Sequence, residues 1–100
     1  MNQPFDTLSD AERLLAEAAQ APAQAPPAAS AALRALLLEW GVTPRSESVV
    51  GLLEQAAETD DSLLHFRAEA AVLDRFPDEP DAADRARIFV DAVRARLANI

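Results

Sequence analysis

The sequence predicts an all-α fold. Apolar residues return every three or four positions in five segments, and capping residues, prolines or a glycine punctuate the segments. One stretch, Asp60 to Phe76, is apolar on two faces of a single helix. There Leu63, Phe66, Ala70 and Leu73 form one stripe, while Leu64, Ala68 and Ala71 form a second, nearly opposite stripe. A helix patterned in this way is expected at the centre of the fold, with neighbours on both sides. Asp60 or Asp61 can cap its start by accepting first-turn N–H groups, and Pro77 has no N–H with which to continue it.

From the N-terminus, Phe5 to Gln20 reads as an amphipathic helix with Leu8, Ala11, Leu15 and Ala18 on one face, and with Ser9 and Glu12 spaced as a capping box. Isolated helices of this length are marginal in water, so this one needs a surface to dock on. Ala21 to Ala29, APAQAPPAA, has three prolines and no charge, and reads as an extended spacer of about 3.1 Å per residue or, equally, as an ordinary loop between two helices of one bundle. Ser30 is the expected cap of the next helix, in which Leu33, Leu36, Leu37 and Trp40 form a stripe before Gly41 ends it in the left-handed conformation. Thr43 and Pro44 have the spacing of a cap and first helical residue, and Val49, Leu52, Leu53 and Ala56 line the inner face of the helix that follows. After the turn Pro77-Asp78-Glu79-Pro80, a last helix from Asp81 to Leu97 buries Ala86, Phe89, Val90, Val93 and Leu97. Its acids come early and its arginines late, as the helix dipole favours. The expected architecture is a small bundle of four helices over residues 30–100, with an additional N-terminal helix (1–20) on a Pro/Ala-rich tether (21–29).

The composition narrows the function classes. A chain of 100 residues without cysteine has no disulfides, no thiolate nucleophile and no Cys-based zinc site. Nine basic residues, all arginine, fit a GC-rich, bacterial-like composition. The formal net charge of −8 repels nucleic-acid phosphates and anionic membranes. No apolar run is long enough to span a bilayer and the first residues lack an export pattern, so the expected location is the cytoplasm. His65 and Glu69 lie one helical turn apart, but with no second histidine they fall short of a metal set. Two glycines are too few for a phosphate-cradling loop. No catalytic residue, cofactor or metal is expected.

Asp61-Ser62-Leu63 opens the two-faced helix in an acidic, helical chain, after a helix ending Trp40-Gly41-Val42 and before a Pro77-Asp78-Glu79 turn. Over residues 31–98 this arrangement resembles acyl and peptidyl carrier proteins. The resemblance implies phosphopantetheine attached to Ser62 and a helix face read by partner enzymes. Two features depart from that family: Thr59-Asp60 stands in place of a glycine-containing approach, and the segment before it has a helical pattern rather than a long loop. The reading that the residues favour is a non-enzymatic protein-interaction module, an acidic adaptor, inhibitor or small regulatory subunit binding another protein or itself, as in a homodimer. Its expected contacts are Phe5, Leu8 and Leu15 on the first helix, with Leu38 and Ile88, which lie off their core stripes. A third alternative uses the acidity itself, as an inhibitor or decoy occupying the basic cleft of a nucleic-acid-binding enzyme.

Overall fold

The computed structural model describes the backbone of residues 4–98 and the side chains from Leu8 to Ala98. These residues are all-helical, with α1 (Pro4–Ala18), α2 (Ala25–Glu39), α3 (Val49–Ala57), α4 (Arg67–Arg75) and α5 (Ala82–Ala98). A 3₁₀ turn, Pro22–Gln24, precedes α2, and a 3₁₀ helix, Asp61–Phe66, leads into α4.

The centre of the fold is α2 rather than the segment from Asp60 to Phe76. It packs on α1, α3, α4 and α5, and ten of its fifteen residues are buried. Its alanines explain this: Ala25, Ala28, Ala29, Ala32 and Ala35 leave neighbouring backbones room to approach, while Leu33, Leu36 and Leu37 fill the space between. In the 60–76 segment the first stripe is internal, with Leu63, Ala70 and Leu73 buried and Phe66 half-buried. The second stripe, Leu64, Ala68 and Ala71, faces solvent.

The tether expected over residues 21–29 is a corner followed by helix. Pro22 opens the 3₁₀ turn, and Pro26 and Pro27 fall in the first turn of α2, where backbone N–H groups have no intrahelical acceptor and proline costs little. Alanine, the best helix former, then carries the helix forward. Ser30 is accordingly a buried residue inside α2, donating its hydroxyl proton to the Glu47 carbonyl at 3.5 Å instead of capping. Because the corner is short, α1 folds back along α2 and also reaches α5, where Glu12 pairs with Arg94 at 3.0 Å. Leu8, Ala11 and Ala18 are buried and Leu15 is half-buried, the face read from the sequence. Ser9 lies within α1, one turn past its start, and is not its cap.

The end of α2 follows expectation. Gly41 adopts φ +73°, the Gly41 N–H donates to Leu38 at 3.0 Å, and the Val42 N–H donates to Leu37 at 2.9 Å. These are the paired bonds that close a helix through a left-handed glycine. The start of α3 does not follow it: Thr43 and Pro44 lie in a loop and the helix begins five residues later. The buried amide of Gln55 holds that loop, donating to the Thr43 carbonyl at 2.7 Å and accepting from the Arg45 N–H at 2.9 Å. With those backbone groups satisfied by a side chain, the loop has no need to be helical. Ser48 is the cap, accepting the Gly51 N–H at 2.9 Å.

Gly51 also faces a close neighbour. A Cβ at this position would lie 2.6 Å from Ser46 Cβ and closer still to Ser46 Oγ. Gly→Ala inside a helix ordinarily stabilises by about 1 kcal/mol, but here the added carbon overlaps a packed side chain. Gly51→Ala is expected to lose about 1 kcal/mol in urea unfolding, and Ser46→Gly in the same chain should restore most of that loss.

Candidate functional site

The 3₁₀ helix and α4 form an outward-facing ridge held in place at both ends. At its start Asp60 has an extended backbone, φ −135° and ψ 93°, and its Oδ1 accepts the Ser62 N–H at 3.2 Å and the Ser62 hydroxyl at 2.6 Å. The other carboxylate oxygen accepts from Arg96 Nε of α5 at 2.9 Å, and Arg96 Nη2 donates to Ser62 Oγ at 3.1 Å. Near its end Asp74 reaches the first turn of α3, one oxygen accepting the Val49 N–H at 3.0 Å and the other the Val50 N–H at 2.9 Å. Between these anchors Leu63, Ala70 and Leu73 point inward, and Phe66 meets Phe89 edge-on with ring centroids 6.0 Å apart.

This anchoring fixes what faces outward. Leu64 is 47% exposed, Ala68 and Ala71 are exposed, and Phe76, where α4 ends, is 48% exposed. Singly exposed apolar side chains are ordinary on a protein surface; what distinguishes Leu64 and Phe76 is that the segment carrying them is fixed at both ends. Periodicity reveals the Leu64 stripe but not that solvent, rather than another helix, covers it. The pattern of apolar residues does not mark Phe76 as a surface residue; the sequence signal for it is its place immediately before Pro77, where the helix must stop.

The hydroxyl of Ser62 and, next, the Arg96 guanidinium hold the Asp60 carboxyl below its ordinary range. A carboxyl depressed in the folded state stabilises the fold above its unfolded pKa, and that contribution is lost as pH falls through the folded value. Asp60 is partly exposed, so solvent screens the interaction. Urea unfolding of the native chain and of Asp60→Asn should differ near neutral pH and converge as the solution is acidified below about pH 4.

The other sequence candidates are dispersed. Leu8 is buried and Leu15 half-buried against the chain's own core. Phe5 belongs to α1, and its side chain lies outside those described. Leu38 is half-buried on α2, while Ile88 is 36% exposed on α5. Ser62 is exposed at the start of the ridge, its oxygen shared between Asp60 and Arg96. His65 is exposed and lies edge-on to Phe66 at 6.2 Å. Among the described residues no three His, Asp or Glu side chains are grouped so as to hold a metal ion, and no helix is long and apolar enough to cross a membrane. An open concavity of about 480 Å³ lies at the α1–α2 corner, with Arg13 and Glu17 on its wall 3.5 Å apart. Comparison with protein-family models, curated proteins and solved structures returns no match.

Proposed function

We propose that this chain is a non-enzymatic protein-interaction module, an acidic adaptor, inhibitor or small regulatory subunit. In this reading α2 to α5 form the bundle, α1 packs along it, and the outer face of the 3₁₀ helix and α4 is the binding surface. The observation that carries it is the exposure of Leu64 and Phe76 on an element pinned by Asp60 and Asp74. A pre-positioned apolar face loses little conformational freedom when covered, which favours binding. The test is co-purification from the native host with the doubly substituted chain Leu64→Asp, Phe76→Asp alongside the native one. The substituted chain should keep its circular dichroism and melting temperature and lose the co-purifying protein, or its dimer in light scattering. Retention of the complex would sink the proposal.

A second reading rests on a different observation, the exposed Ser62 hydroxyl at the start of a helix beneath the carrier-like Asp-Ser-Leu motif. It requires that incubation with a phosphopantetheinyl transferase and coenzyme A add the mass of phosphopantetheine. Ser62→Ala would then remain unmodified.

A further inference from the structure

We infer that α1 is a hinged strap: it swings off the body formed by α2 to α5 as a unit, about the corner at residues 19–24, while the body stays folded. The large side chains sealed completely in the core, among them Leu33, Leu36, Leu52, Leu63, Leu73 and Phe89, come from α2 to α5 and the 3₁₀ helix that leads into α4; among the described residues α1 supplies none of them. What α1 contributes is Leu8, 7% exposed, the small Ala11 and Ala18, and the half-buried Leu14 and Leu15. Alanine has little apolar area to bury, so lifting α1 forfeits much less than opening the body does. Its tie to α5, from Glu12 to Arg94 at 3.0 Å, joins two half-exposed side chains, a kind of surface pair that contributes little. Arg13 pairs with Asp10 and Glu17 of α1 itself, at 3.7 and 3.5 Å, so these contacts move with the helix.

The corner suits a hinge. None of residues 19–24 is buried, and the open concavity of about 480 Å³ borders them, walled by Arg13, Gln20, Ala21 and Gln24. No side chain caps the 3₁₀ turn or the start of α2. Backbone bonds hold the corner: the Gln20 and Ala21 N–H groups donate to the Glu17 carbonyl at 3.0 and 2.9 Å, and the Gln24 N–H donates to the Ala21 carbonyl at 2.9 Å. Ala21, at φ −133° and ψ 86°, has left the helical region, as the residue before a proline prefers. Proline keeps nearly the same φ in helical and extended chain, so rotation at a few neighbouring residues suffices to move α1. Closed, the strap hides its own apolar face and the parts of α2 and α5 on which it packs; open, it presents both. Leu8, which the sequence marks as a partner contact, meets solvent fully in the open form alone, so the apparent affinity of anything that binds this face falls by the fraction of chains that are open.

The test is amide hydrogen exchange on the isotope-labelled full chain, in urea concentrations below the unfolding transition. Amides of α1 should exchange at least about tenfold faster than the slowest amides of α2 and α5, a difference of about 1.4 kcal/mol. Their exchange should also depend more weakly on urea, because a smaller surface is exposed in that opening. The chain has no cysteine, so Glu12→Cys with Arg94→Cys can be bridged at one place by a short bismaleimide. Bridging should slow α1 exchange at least about tenfold relative to the same chain before the reagent is added. In Leu8→Asp the α1 amides should lose their protection, since an undocked helix of this length is marginal in water, while those of α2 to α5 keep theirs. One rate and one urea dependence shared by α1 and the slowest amides of the body in the native chain would overturn the inference, because the molecule would then open as a single unit. So would α1 amides without protection in the native chain, since there would be no closed state to leave. A Leu8→Asp chain whose body loses protection along with α1, or that does not fold, would show that the body depends on the strap and would overturn it as well.

Discussion

Leu8→Asp should lower the unfolding free energy by about 3 kcal/mol or more, and Ser9→Asp, one residue away, should change it by less than about 0.5 kcal/mol. Leu8 is 7% exposed and belongs to the same core cluster as α2 and α5, whereas Ser9 is exposed. Removing the leucine forfeits roughly 1.5–3 kcal/mol of apolar burial, and the carboxylate that replaces it must be desolvated or swing outward and open the α1–α2 contact. Small domains have about 5–15 kcal/mol in all, so the loss is a large fraction of the total. Differential scanning calorimetry on the full chain decides the matter. A melting temperature shared by Leu8→Asp and the native protein would mean that α1 is not docked in solution, and the tethered-helix expectation would return.

How much of this could be read in advance depends on the range of the interaction. The buried stripe of α5, Ala86, Phe89, Val90, Val93 and Leu97, and the glycine stop at Gly41 are local, and both stand as read. The face of α1 was legible for the same reason, but its destination was not, because that turned on whether Pro22, Pro26 and Pro27 would fall in first turns or in extended chain. Proline fits both, and its neighbours did not discriminate. The start of α3 departs from the local Thr43-Pro44 signal because two distant side chains intervene: Gln55 satisfies the Thr43 carbonyl and the Arg45 N–H, and Asp74 accepts the Val49 and Val50 N–H groups where the helix begins. At the candidate site the Asp60 cap was anticipated and its Arg96 partner, 36 residues on, was not. Periodicity places Leu64, Ala68 and Ala71 together on one side of the helix; it carries no information about whether anything lies there.

The second large effect concerns Asp74. Asp74→Ala should cost about 2 kcal/mol and lower the melting temperature by roughly 10 °C, a shift expected of a domain this size at 4–8 °C per kcal/mol. The first four N–H groups of a helix lack intrahelical acceptors; in α3 the Asp74 carboxylate takes those of Val49 and Val50, and the Ser48 hydroxyl takes that of Gly51. Bonds to an ionised acceptor are stronger than neutral ones, and the negative charge also meets the positive end of the helix dipole. Water can replace part of what is lost, because Asp74 is exposed, which holds the cost below that of an orphaned core donor. Asp74→Asn keeps one acceptor oxygen and should lose about half as much. Because the same carboxylate ties α4 to α3, Asp74→Ala should also speed amide hydrogen exchange in both helices, a local change that Ser48→Ala, acting within α3, would confine to one. Exchange left unchanged in α4 would show that the ridge is held by Leu63, Ala70 and Leu73 alone, and that its polar anchor contributes nothing to positioning the exposed face.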